Sequence, residues 1–206
     1  MKCPLVLAAL LLAHPLTAAP LLADANLAAW SLQTSPAAAI SGVCHLKADG
    51  VLTVDGKPSG YFATTRSYKN YRLHVEWRWN GAPGNSGILL HISTGPLDRV
   101  WPRCFQVQMK HKSVGDLLPM AGAKFSETLT AGEKVPALVR RAPDSEKPPG
   151  EWNACDITSR GGAIEVAVNG VLQNRVSGCD PNAGSIGFQL EGAPFDLRAL
   201  NITPLD

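Results

Sequence analysis

The chain has 206 residues, 45% of them hydrophobic and 17% charged. That balance excludes a highly charged disordered chain and leaves enough apolar material for one real core. The formal charge is only +2, and no basic stripe is interleaved with aromatics, which argues against nucleic acid as a partner.

The first element in chain order is a processing segment. Lys2, the apolar run from Leu5 to Leu12 and the small residues of Leu16-Thr17-Ala18-Ala19 read as a secretory signal peptide over residues 1–18. The run is too short to span a bilayer, which takes about 20 helical residues. Cleavage after Ala18 is the first expectation and after Ala23 the second, because Pro20 sits badly just past the cut. The mature chain is then secreted or periplasmic, with no further stretch apolar enough to enter a membrane. It keeps Cys44, Cys104, Cys155 and Cys179, an even number that permits two disulfides in an oxidising compartment. Of the three connectivities, Cys155–Cys179 is favoured because these residues flank a three-strand meander; Cys44–Cys104 follows by elimination. The spacings match no zinc pattern. No cofactor is expected, a divalent metal is left open, and the sequence does not fix the oligomeric state.

From Ala28 onward, nearly every segment alternates apolar and polar residues with period two. Strands are predicted over 28–32, 43–46, 51–54, 61–64, 71–79, 86–92, 104–110, 137–141, 152–158, 163–168, 171–176, 185–190 and 195–202. Two loops stand out between them. Residues 93–103 carry Trp101 and Arg103 and are expected to wall a cleft; residues 142–150, Ala-Pro-Asp-Ser-Glu-Lys-Pro-Pro-Gly, are expected to be solvated. Asn169-Gly170 between two alternating runs is a strong signal for a tight hairpin turn. No helical apolar period is sustained over ten residues. A dozen short strands in one domain over residues 27–205 give an all-β class, a sandwich or barrel.

Two strands carry long polar side chains on one face. In 104–110, Phe105, Val107 and Met109 point one way, and Gln106, Gln108 and Lys110 the other. In 185–191, Ile186, Phe188 and Leu190 oppose Gly187, Gln189 and Glu191. Amides and carboxylates beside a stacking aromatic suit a sugar, whose hydroxyls need directed hydrogen bonds. The candidate catalytic groups are Glu191 and His91; the candidate substrate-binding groups are Trp101, Arg103, Gln106, Gln108, Lys110 and Gln189. No nucleophile elbow, phosphate loop or alternating acidic metal loop is present. The same face could also be a solvated surface that binds nothing.

Gly84-Asn85-Ser86-Gly87-Ile88-Leu89-Leu90-His91, Val100-Trp101-Pro102-Arg103-Cys104-Phe105-Gln106-Val107-Gln108, Gly150-Glu151-Trp152-Asn153, Val168-Asn169-Gly170 and the run from Gln189 to Arg198 occur in this order. Together they resemble the 3-keto-disaccharide hydrolase domain family, over roughly Leu27 to Leu205. The resemblance implies a concanavalin A-like jelly-roll sandwich of two antiparallel sheets with its site on the concave face. It also implies exported enzymes that cleave glycosidic bonds of sugars oxidised at C3. There the ketone acidifies the C2 hydrogen, so a base and a carbonyl polariser replace the opposed carboxylates of an ordinary glycosidase. The family commonly carries Glu-Val-Gln where this chain has Gln106-Val107-Gln108. An amide is no general base, so a non-catalytic, lectin-like sugar-binding module is the alternative.

Overall fold

The structure is a computed structural model that describes residues 17–132 and 135–206. The predicted signal peptide therefore lies almost wholly outside the described residues. Fourteen strands follow in order: β1 (Ala19–Pro20), β2 (Trp30–Ser35), β3 (Cys44–Leu46), β4 (Leu52–Val54), β5 (Ser59–Thr64), β6 (Tyr71–Trp79) and β7 (Gly87–Asp98), then β8 (Trp101–Gln108), β9 (Leu117–Met120), β10 (Asn153–Arg160), β11 (Ala163–Val168), β12 (Val171–Val176), β13 (Ser185–Leu190) and β14 (Phe195–Pro204). One short 3₁₀ turn, Ile40–Gly42, is the only helical element among the described residues. None of them forms a helix long and apolar enough to cross a membrane.

The strands make two antiparallel sheets. The larger runs β12-β11-β10-β6-β14-β4-β3, with β1 added on β14; the smaller runs β2-β5-β13-β7-β8-β9. Their inner faces interleave as a jelly-roll sandwich, the class the sequence implied. β6 shows why: Tyr71, Leu73, Val75, Trp77 and Trp79 are buried in the core, while Arg72, His74, Glu76 and Arg78 face out. Trp30, Phe62 and Phe188 cluster at centroid distances of 5.3–6.3 Å across β2, β5 and β13. The Asn169-Gly170 turn has φ of 49° and 80°, as a tight β11–β12 hairpin requires.

Both expected disulfides are absent: Cys44, Cys104, Cys155 and Cys179 are buried free thiols. A meander with an odd number of antiparallel strands brings its two ends to opposite edges. Cys155 lies near the start of β10, opposite Val168, while the Cys179 N–H bonds Gly162 O beyond the far end of that strand. Five residues of strand separate these levels, roughly 17 Å, against a Cα separation of about 4.4–6.8 Å in a disulfide. Cys44 faces the core from the larger sheet, whereas Cys104 lies on the opposite face of the smaller sheet beside Tyr61, Ala63 and Leu89. Burial pushes the Cys44 and Cys179 thiols up to about 12 and raises the other two as well. Such thiols are poor nucleophiles.

Three local expectations also need correction. Residues 93–103 are not an open loop, because β7 and β8 continue as an irregular hairpin with Thr94 opposite Arg103 and Asp98 opposite Trp101. Solvent bathes both faces there, so no apolar alternation marks it. Residues 137–141 contribute only a bridge, Leu138 to Leu117, on the edge strand β9, whose Pro119 hid it from the sequence reading.

The segment 142–150 is solvated at residues 143, 144 and 147–150, as expected, but it is docked through Ser145 and Glu146. The Glu146 side chain is 4% exposed and accepts hydrogen bonds from Trp79 Nε1 (3.3 Å), His111 Nδ1 (2.9 Å) and Lys112 N (2.9 Å). Ser145 Oγ donates to Val168 O at 2.9 Å, and Asn169 Nδ2 donates to Ser145 O at 2.6 Å. Glu146→Ala strips one acceptor from three donors. Each orphaned buried donor costs about 1–3 kcal/mol, and water reaches part of this edge, so urea unfolding should show a loss of about 2–4 kcal/mol. An unchanged midpoint would mean that the segment contributes nothing to stability.

Candidate functional site

The outer faces of the two sheets differ in chemistry. On the larger sheet, charges are neutralised across strands: Arg78 Nη2 lies 2.8 Å from Asp196 Oδ2, His74 Nδ1 lies 2.7 Å from Asp156 Oδ1, and the Arg78 and Arg198 guanidinium groups each lie over the Trp152 ring. The smaller sheet instead forms the floor of a groove of about 680 Å³, within the usual range for small-molecule sites. Trp101, Gln106, Gln108, Lys110, Gln189 and Glu191 all line it, so six of the eight sequence candidates meet in one place.

The local fold explains their convergence. On β8, Phe105 and Val107 enter the core and turn Gln106 and Gln108 to the groove; on β13, Ile186, Phe188 and Leu190 do the same for Gln189. Between these strands runs β7, and its first residue is Gly87. A Cβ there would lie 2.5 Å from Gln106 Cγ and 2.7 Å from Gln106 Nε2. The missing side chain lets Gln106 lie across β7 and reach β13.

The result is a directed hydrogen-bond chain. Gln106 Nε2 donates to Gln108 Oε1 (3.1 Å) and to Gln189 Oε1 (2.9 Å). The Lys110 N–H also donates to Gln108 Oε1, at 3.1 Å. Gln189 Nε2 donates to Glu191 Oε2 at 2.6 Å, and Asn85 Nδ2 donates to the same oxygen at 2.8 Å. Glu191 Oε2 is thus fully engaged, and Oε1 has no partner among the described residues. Burial raises the Glu191 pKa above the ordinary glutamate range; Lys110 and then Arg99 pull it partly back. The site therefore holds one oriented carboxylate with a free oxygen, a nearby ammonium, and Gln108 Nε2 free to donate. Among the described residues, no group of three or more His, Cys, Asp or Glu is placed to hold a metal.

Two candidates are not in the groove. His91 is fully buried between the sheets: its Nδ1–H donates to Pro181 O at 3.1 Å, and its Nε2 lies 2.9 Å from Ser159 Oγ. A bulge in β7, where His91 has φ 54°, turns inward a residue that strict alternation would place in the groove. Burial also lowers its pKa and keeps it neutral. Arg103 is turned away too, with Nη2 donating to Asp180 Oδ2 at 2.7 Å and Nε to Gly122 O at 3.5 Å. Conversely, Asn85 and Arg99 act on Glu191 and were not among the candidates. Asn85 had a visible signal, its place in Gly84-Asn85-Ser86-Gly87; Arg99 had none.

Solved structures share this architecture. The chain is similar to a candidate glycosyl hydrolase from Parabacteroides distasonis at 22% identity and a TM-score of 0.68, covering 92% of this chain and 94% of that one. It is similar to the carbohydrate binding module CBM66 from Bacillus subtilis at 12% identity and TM-score 0.57, covering 85% and 95%. A Bacillus subtilis protein with a galectin-like fold matches at 10% identity and TM-score 0.56, covering 92% and 95%. At these identities the likeness is one of fold. No curated protein matches the chain. The family profile for the 3-keto-alpha-glucoside-1,2-lyase-like domain matches residues 17–203. With nearly the whole chain inside that match, this protein belongs to the 3-keto-alpha-glucoside-1,2-lyase-like domain family.

Proposed function

We propose that this chain is an exported carbohydrate-active enzyme that cleaves the glycosidic bond of a 3-keto-glucoside or 3-keto-disaccharide, with Glu191 as the base. The observation that carries the reading is the free Oε1 of Glu191, held at the mouth of an uncharged amide network by bonds to its other oxygen. A ketone at C3 lets the C2 hydrogen leave as a proton. Glu191 Oε1 takes it, and the charge that develops on the keto oxygen meets the Lys110 ammonium and the Gln108 amide. The C2–H electrons form the C1–C2 double bond as the C1–O bond breaks. The Glu191 carboxylic acid then returns its proton to the departing oxygen. Addition of water across the new double bond gives the free keto-sugar, so no second carboxylate is needed.

The rival is a sugar-binding module without turnover, favoured by the amide at Gln106 where the family commonly has a carboxylate. Incubation with 3-keto-trehalose separates them. The enzyme reading expects released sugar from the wild-type chain and no gain in Gln106→Glu. A carboxylate at 106 would face two amide oxygens and place a second negative charge near Glu191. An inert wild-type chain and an active Gln106→Glu variant would establish the binding-module reading. Export follows the same proposal: cleavage after Ala18 keeps β1, which pairs Ala19 with Ile202 and Pro20 with Asn201, whereas cleavage after Ala23 removes it.

A further inference from the structure

We infer that the leaving-group side of the groove is built for an apolar aglycone, an aliphatic or aromatic alcohol, in preference to a second sugar. This rests on the lyase reading of the polar side. The groove changes character across the smaller sheet. Gln106 on β8 pairs with Leu118 on β9, and Cys104 pairs with Met120. From this line outward the wall carries aliphatic side chains. Leu117 and Leu138 exchange backbone hydrogen bonds of 2.9 and 2.8 Å, which adds the 137–139 segment to the edge of β9. Leu138 packs against the core, so its neighbours Ala137 and Val139 stand on the groove side with Leu118. Val139 is a large apolar side chain that stays 50% exposed.

Two of the polar groups on that side are held by the neighbouring backbone. Thr130 Oγ1 accepts the Ala137 N–H at 3.1 Å, and Asp116 Oδ1 accepts the Arg140 N–H at 2.8 Å beside the Arg140 guanidinium. A second sugar over Leu118, Met120 and Val139 would lose water from hydroxyls that find few partners, which is costly. An alkyl or aryl group there removes apolar surface from water on both sides. The free carboxylate oxygen stands past the end of β13 with the ammonium near it, and the amides of β8 and β13 lie between it and β9, which orients the keto-sugar toward Glu191 and its leaving group toward β9.

An alkyl series tests this, since methyl and hexyl 3-keto-α-glucosides differ little in leaving-group chemistry. Expected is a kcat/KM at least about tenfold higher for hexyl than for methyl, a hexyl glucoside preferred over 3-keto-trehalose, and loss of most of the hexyl gain in Val139→Asp. Equal values for methyl and hexyl, or a preferred disaccharide, would overturn the apolar subsite while leaving the lyase reading intact. If no 3-keto substrate is cleaved, the lyase reading fails by itself. Calorimetric titration of the unoxidised methyl and hexyl glucosides then decides the subsite. Hexyl binding about tenfold tighter supports it, and equal affinity overturns it.

Discussion

Replacing Glu191 by glutamine should lower turnover of a 3-keto-glucoside by about 10²–10⁴-fold, the usual cost of losing a general base, while substrate affinity and Tm hold. The amide matches the carboxylate in size, and its oxygen can still accept from Asn85 Nδ2 and Gln189 Nε2. What it cannot do is take the C2 proton. The pH dependence gives a second reading of the same substitution. Burial holds the Glu191 pKa above the ordinary glutamate range, so the wild-type rate should fall as pH drops through that raised value. The variant's residual rate should lack this limb. For stability the sign is reversed. A carboxyl whose folded pKa is raised binds its proton more tightly in the folded state, so it loses stability as pH rises from the unfolded to the folded pKa. Glutamine removes that loss, and the variant should be as stable as wild type in acid and no less stable at neutral pH. Full turnover in Glu191→Gln would move the base elsewhere.

The convergence of this site was legible wherever period-two alternation holds. β8 and β13 send every second residue into the core between the sheets, so Gln106, Gln108 and Gln189 had to share the other face. Arg103 was legible by the same logic and was misassigned: it has the parity of Phe105 and Val107, which enter the core. His91 was not legible, because one extra residue in β7 reverses the face and nothing in the local sequence announces the bulge. The failed disulfides have a geometric source, since an odd number of strands separates the ends of the meander. Docking of the 142–150 segment depends on partners far along the chain, such as Trp79 and Val168, and no local pattern encodes those contacts. Local periodicity thus identified the groove floor, while its walls and the second oxygen of Glu191 depended on non-local contacts.

Gly87→Ala should disable the site while sparing the fold. Gly87 sits on the floor between β13 and β8, and the atoms its new Cβ would meet all belong to the Gln106 side chain, at 2.5–2.8 Å. Contacts this short cannot persist, and a flexible side chain yields more easily than a backbone. Gln106 should therefore swing off the floor and lose its bonds to Gln108 and Gln189. Gln189 is then no longer held where it supports Glu191, and the base loses its orientation. Rates fall steeply when a catalytic group is misplaced by about an ångström, on the order of 10²-fold, whereas the overpacking itself costs at most about 1–3 kcal/mol of stability. A double-mutant cycle isolates the cause. If Gly87→Ala acts only through the displaced glutamine, then in a Gln106→Ala background it should add almost nothing to the loss, because there is no side chain left to displace. Independent losses that multiply in the double variant would show that Gly87 matters for another reason. Wild-type turnover in Gly87→Ala alone would show that the amide network is not needed to hold Glu191.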